Sequence, residues 1–138
     1  MSSDRFFDTN VLVYAHSRGD DRTEIARELL LGGGVVSVQV LNEFASVARA
    51  KLAFTWPQVQ EAIDSIAVLC PSPRPLSFDT HLRALGLSKR FGFSIWDGLI
   101  VAAAVEARCS TLLTEDLQHG QIVDSVRIEN PFLQPSAP

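Results

Sequence analysis

Residues 5–15 read RFFDTNVLVYA, and Asp8 sits between two apolar runs, Phe6-Phe7 before it and Val11, Leu12, Val13 and Tyr14 after it. A buried strand of about Arg5–Asp8 followed by a short helix through Ala15, which Asn10 can cap, accounts for the pattern. It leaves one question open: why a carboxylate should close a strand that has just begun to bury itself.

The rest of the chain supplies the setting. Helical spacing runs over Thr23–Leu31 and is broken at Gly32-Gly33-Gly34. Val35-Val36-Ser37 reads as a second short strand, and Ser37 caps a helix from Val38 to about Leu52. Thr55-Trp56-Pro57 opens a helix to Ile66, with proline in its first turn. Ala67–Cys70 reads as a third strand closed by Pro71, Pro73 and Pro75, and Phe78–Phe91 as a helix. Ser94 caps Ile95–Ala107; Thr111–Thr114 and Val126–Glu129 are the fourth and fifth strands. Alternating strands and helices predict a three-layer α/β/α sandwich around a mostly parallel sheet. Sites in such sheets form beyond the carboxyl ends of the strands, which is where Asp8 would stand.

A chain of 138 residues suits one domain, here residues 1–133, with the tail Gln134-Pro135-Ser136-Ala137-Pro138 frayed. Apolar residues make up 46% and charged residues 20%, which excludes wholesale disorder. No apolar run approaches the ~20 residues of a membrane span, and the N-terminus has no signal-peptide core, so a cytoplasmic protein is expected. Cys70 and Cys109 have neither zinc nor redox spacing and are expected to be small buried residues. A net charge of −4 argues against a surface that binds nucleic acid everywhere, but leaves room for a local site.

Three further acids stand in apolar surroundings. Glu43 borders the stripe of Val40, Leu41, Phe44, Val47 and Ala48; Asp97 heads the apolar helix in SIWDGLIVAAAV; Asp116 follows the fourth strand. Each has a plain structural account. Asp8 suits a turn or a cap, Glu43 a helix border, Asp97 a capping box with Ser94, and Asp116 a helix start; Glu115 beside it reads as solvated. Together, four carboxylates at one sheet edge would repel unless a cation held them. An all-oxygen set suits Mg²⁺, with Mn²⁺ as an alternative, and not zinc. Water held by such an ion is a nucleophile toward phosphate, which points to phosphodiester hydrolysis.

The segments FFDTNVLVYA, QVLNEFASVARAK, SIWDGLIVAAA and LLTEDLQHG resemble the four acidic motifs of PIN-domain ribonucleases, and within them the VapC toxins of bacterial toxin–antitoxin pairs. The resemblance runs from Phe6 to about Leu133. It implies a magnesium-dependent endoribonuclease that dimerises and is inhibited by a cognate antitoxin. Carried over, it makes Asp8, Glu43, Asp97 and Asp116 the catalytic and metal-binding set, with Thr9, Asn10 and Thr114 supporting them. Many relatives place a further aspartate a few residues after the fourth acid, where this chain has Gln118 and His119. His119 is either a surface-loop residue or an aid to leaving-group protonation; His16 and His81 have no evident partner. Two other readings stand beside the nuclease: a magnesium-dependent phosphatase or phosphoacceptor domain with Asp8 as nucleophile, and a non-catalytic RNA-binding adaptor. The phosphatase pattern wants a second aspartate at position 10, where Asn10 stands, and an adaptor would be expected to have an eroded acidic set.

Overall fold

Strand β1 (Arg5–Phe7) and strand β2 (Thr111–Leu113) are more than a hundred residues apart in sequence and lie side by side in parallel, with Phe6 opposite Leu112 and Phe7 opposite Leu113. The computed structural model describes residues 4–133, so the predicted frayed tail at 134–138 lies outside the described residues. Among the described residues six helices and two more strands complete the order: α1 (Thr9–Ala15), α2 (Thr23–Leu31), α3 (Val38–Ala50), α4 (Trp56–Leu69), α5 (Phe78–Phe91) and α6 (Ile95–Glu106) before β2, then β3 (Ile122–Val123) and β4 (Val126–Glu129). The sheet order is β1-β2-β4-β3, with β2 parallel to β4 and only β3 antiparallel. Helices α1 to α4 pack on one another and α5 packs on α6, which is the expected mostly parallel α/β architecture.

The apolar core explains why these segments fold as they do. Phe6, Phe7, Leu112 and Ile128 are fully buried along the strands. Helix α6 buries every residue from Gly98 to Ala104, so it is apolar all round because it has protein on all sides. Gly98 is where α5 comes closest: a Cβ there would stand 2.5 Å from Ser88 Oγ and 2.9 Å from the Ala84 carbonyl oxygen. Helices α4 and α5 each begin with a reciprocal capping box, Thr55 with Gln58 and Ser77 with Thr80. Helix α5 ends at Gly92, whose φ of 78° is left-handed and suits glycine.

Four local expectations need correction. The cap of α1 is Asp8, whose side chain accepts from the Thr9 amide; Asn10 lies inside the helix. Val35-Val36-Ser37 is not a strand. Val35 bridges Phe6 and Ser37 bridges Arg74, and the chain then enters α3, leaving no length for a ladder. Ala67–Cys70 is not a strand either. Val59, Ala62, Ile66 and Cys70 are buried at helical spacing while Val68 is 72% exposed, so α4 continues through Leu69 on the same apolar stripe. Strand β3 was not anticipated. It pairs with β4 across Asp124-Ser125, which both adopt positive φ and form a tight hairpin turn without the glycine that usually marks one.

Candidate active site

Parallel pairing decides where Asp8 goes. Because Phe7 stands opposite Leu113, the next residues, Asp8 and Thr114, leave the sheet side by side at its carboxyl edge. The Asp8 amide donates to the Leu113 carbonyl at 3.0 Å, and the Thr114 amide to the Glu129 carbonyl at 3.0 Å. Asp8 is 4% exposed and Thr114 fully buried. The Thr114 hydroxyl donates to Asp8 Oδ2 at 2.7 Å, and the Thr9 amide donates to Oδ1 at 2.6 Å. The carboxylate also caps α1, where the helix dipole favours negative charge.

The other acids reach this point through neutral bridges. The Thr9 hydroxyl donates to Glu43 Oε2 at 2.7 Å, tying the first turn of α1 to the middle of α3. Gln39, one turn earlier on α3, donates to Glu43 Oε1 at 3.2 Å. The Asn10 amide donates at 3.2 Å both to Thr114 Oγ1 and to Asp116 Oδ2. The Asp116 amide donates to Thr114 Oγ1 at 3.0 Å, so Thr114 is the hub between Asp8, Asn10 and Asp116. Asp97 is half-buried in the first turn of α6, whose cap, Ser94, accepts from the Asp97 amide at 3.1 Å. Among the described residues no hydrogen bond joins Asp97 to the other three acids; its link is electrostatic and runs to Asp116 and Glu43.

That field is repulsive. Burial pushes the Asp8 carboxyl from 3.8 up to about 7; the bonds from Thr114 and Thr9 oppose the shift, and the charges of Asp116 and Glu43 add to it. Asp97 is raised too, first by burial and then by Asp116 and Glu43, against its bond with Ser94. Among the described residues, ion pairs go to Asp20, Glu115, Asp124 and Glu129, and none reaches Asp8, Glu43, Asp97 or Asp116. These four acids therefore concentrate negative charge, and among the described residues none of them is ion-paired. Their donors are all oxygen, which fits a hard divalent ion by type and charge. Among the described residues no three acidic, histidine or cysteine side chains form a closed ligand cluster; the carboxylates are joined through Thr9, Asn10 and Thr114.

Beside these acids opens a cleft of about 500 Å³ lined by Thr9, Asn10, Tyr14, Glu43, Glu115 and Asp116, with Val13, Ser46, Val47 and Lys51 completing its wall. Asp8 and Asp97 do not line it. With both oxygens engaged and little surface open, Asp8 is badly placed to attack a phosphorus, as a phosphoacceptor must; each oxygen keeps a lone pair for a cation.

Sequence reasoning missed one part of this wall. Glu115 is half-buried, not solvated: it accepts from the Tyr14 hydroxyl and pairs with Arg22 at 3.2 Å. Arg22 stacks 4.1 Å over the Tyr14 ring and is held by Asp20. Burial, then the bond to Glu115, pushes the Tyr14 hydroxyl up to about 12. No motif marks this group; only the tyrosine, facing the cleft from α1, offered a signal. His119 Nδ1 accepts from the Asn130 amide at 3.0 Å on an exposed loop. His16 packs against Phe44 and bonds the Leu12 carbonyl, and His81 stacks on Phe78. Cys70 and Cys109 are both buried.

A family model described as PIN domain matches residues 5–123. Among solved structures, a toxin–antitoxin complex from Klebsiella pneumoniae superposes with a TM-score of 0.70 at 21% identity, over 95% of this chain and 98% of that one. VapBC2 from Rickettsia felis, bound to a DNA fragment from their promoter, gives 0.65 at 22% identity over 91% and 97%. VapC20 of Mycobacterium tuberculosis, a Sarcin-Ricin loop cleaving toxin, gives 0.60 at 18% identity over 78% and 86%. No curated protein matches the chain. At these identities the structural likeness is one of fold.

Proposed function

The chain belongs to the PIN domain family, and on that premise we propose that it is a divalent-metal-dependent endoribonuclease acting in the cytoplasm as the toxin of a toxin–antitoxin pair. One observation carries the reading: Asp8, at the end of β1, and Asp97, at the head of α6, each lie in the repulsive field of Asp116 and Glu43, and among the described residues no ion pair reaches any of the four. A protein that only folds around such a group would gain by losing it. The names of the structural neighbours, two toxin–antitoxin assemblies and a toxin that cleaves the Sarcin-Ricin loop, support the choice of RNA and of an antitoxin partner.

In this reading Asp8 and Asp97 would be the main ligands of Mg²⁺, with Mn²⁺ able to substitute, and Glu43 and Asp116 would hold it through water or complete a second position. When bound, the ion supplies neutralisation of phosphate charge and acidification of the water it holds. The chain's own contribution is orientation. Thr114 fixes one Asp8 oxygen, Thr9 joins Asp8 to Glu43, and Asn10 holds Asp116. Because Asp8 leaves directly from a rigid strand, its position is set by sheet hydrogen bonds. Water attacks phosphorus in line and the bond to the 3′ oxygen breaks, leaving 5′-phosphate and 3′-hydroxyl ends.

The test is incubation with structured RNA in Mg²⁺, in Mn²⁺ and in chelator, followed by sequencing of the ends. Activity that survives chelation, or 2′,3′-cyclic phosphate ends, would overturn the mechanism. The same reading makes residues 1–133 one nuclease domain that dimerises. It gives the antitoxin a basic side chain, arginine by its forked geometry, inserted among the carboxylates. A purified complex that cleaves RNA as fast as the free protein would refute the inhibitor, and a monomer by light scattering would refute the dimer. No helix among the described residues is long and apolar enough to cross a membrane.

A further inference from the structure

The wall of the cleft contains one cation among acids. Lys51, at the C-terminal cap of α3, lines it together with Glu43, Glu115 and Asp116, and among the described residues no other basic one does so. Glu43, Val47 and Lys51 follow one another at intervals of four and so share one face of α3. Eight residues at ~1.5 Å each put Lys51 about 12 Å along the helix from Glu43. The neighbouring arginines are committed elsewhere: Arg22 to Asp20 and Glu115, Arg27 to the Ala15 carbonyl, and Arg49 to the Phe54 carbonyl and the Trp56 ring. Lys51 is exposed, and among the described residues its ammonium makes no hydrogen bond and no ion pair.

We propose that Lys51 is a phosphate-binding residue for the RNA strand, at the far end of a channel that runs along α3 from Glu43. At the ~3.4 Å axial spacing of a stacked strand, its contact falls about three nucleotides from the bond cut at the carboxylates. The inference rests on the ribonuclease reading. A polyanion entering a cleft lined by Glu43, Glu115 and Asp116, on a chain of net charge −4, meets repulsion along most of its path. One free ammonium at the distal end supplies the attraction that draws the strand in and fixes its direction. Lysine suits this task because a point charge on a flexible stem accepts a phosphate in many orientations, and so grips backbone without reading sequence. The competing account is structural, since a cation at a helix C-terminus also complements the helix dipole. That role would appear in folding stability and not in the salt dependence of substrate capture.

The experiment uses the full chain and a single-stranded RNA that the wild type cleaves, with kcat/KM measured across a KCl series. Lys51→Gln keeps the aliphatic stem, and Lys51→Arg keeps the charge. Lys89→Ala alters the only other lysine, on α5 and outside the cleft. One lost phosphate contact removes about 0.7 from the slope of log affinity on log salt for a single strand, so between roughly 50 and 200 mM the wild type should lose about 2.5-fold more kcat/KM than Lys51→Gln. The loss in Lys51→Gln should fall on KM more than on kcat, Lys51→Arg should restore the slope, and Lys89→Ala should match wild type. An unchanged slope and KM in Lys51→Gln would overturn the proposal, as would a loss confined to kcat, or an equal slope change in Lys89→Ala. A wild type that cleaves no RNA under any metal condition would instead remove the ribonuclease reading itself, and Lys51's role with it.

Discussion

Replacing Asp8 by asparagine should change stability with a sign that depends on pH. In the folded protein the Asp8 carboxyl titrates at about 7 against an ordinary 3.8. The folded state therefore holds this proton more tightly than the unfolded chain does, so stability falls as pH rises from 3.8 to about 7 and is flat beyond. A difference of about three units at ~1.4 kcal/mol each makes the ionised carboxylate cost the metal-free fold about 4 kcal/mol above pH 7, and almost nothing at pH 4. Asparagine carries no charge and removes that cost. It brings a smaller one of its own: its single carbonyl oxygen can accept from the Thr9 amide or from the Thr114 hydroxyl but not serve both as the two carboxylate oxygens do, so one donor loses its acceptor. One unsatisfied buried group costs about 1–3 kcal/mol at any pH. In chelator, Asp8→Asn should be less stable than wild type at pH 4 and more stable by about 2 kcal/mol at pH 8. Urea unfolding of both proteins from pH 4 to pH 8 measures this directly. Saturating Mg²⁺ at pH 8 should then close the gap by stabilising the wild type alone, since an ion at 100 times its Kd adds about 2.7 kcal/mol. A difference between the two proteins that stays constant with pH would show that no strained carboxylate exists at the end of β1.

Other perturbations probe the frame. Thr114→Val leaves Asp8 Oδ2, the Asn10 amide and the Asp116 amide without their common partner; the urea midpoint should fall by the equivalent of about 2 kcal/mol or more, and RNA cleavage should be lost with it. Gly98→Ala drives a methyl against Ser88 Oγ and the Ala84 carbonyl, so the α5–α6 contact should loosen at a cost of about 1–3 kcal/mol by urea unfolding. Tyr14→Phe removes the donor to Glu115 but keeps the ring under Arg22; cleavage should fall less than in Thr114→Val, and equal loss in single-turnover rates would contradict the hub role given to Thr114.

Much of this site was legible in the sequence because parallel pairing is a strong constraint. A carboxylate or hydroxyl placed one residue past a short apolar strand must emerge at the sheet's carboxyl edge, and both FFD at β1 and LLT at β2 carry that mark. Three helix caps were readable too, since Ser37, Thr55 and Ser94 each announce themselves by residue type and by the apolar period that follows, whereas at α1 the sequence pointed to Asn10 and the cap is Asp8. The two false strands share a cause. Val35–Ser37 and Ala67–Cys70 are short apolar runs, and over three or four residues the period of a strand cannot be told from that of a buried helix turn. Only the wider stripe through Val59, Ala62 and Ile66 settles the second case.

What the sequence could not supply was pairing across long separations. Glu115 looks solvated because its neighbours in sequence are Thr114 and Asp116; its partners in space, Tyr14 and Arg22, lie 101 and 93 residues away. Lys51 looks like an ordinary helix-end cation until α3 is laid beside the cleft. The separation follows a physical division. Asp8 can be found from sequence because a buried charge breaks a local pattern of hydrophobicity. Lys51 and Glu115 break no pattern, being charged residues in segments that tolerate charge, and what distinguishes them is whether the fold leaves them paired. Glu115 is paired and closes the wall of the cleft, while Lys51 is unpaired and faces it. In a site whose acids already exceed its cations, an unpaired ammonium on the approach to the carboxylates is the residue whose removal a polyanionic substrate should register first.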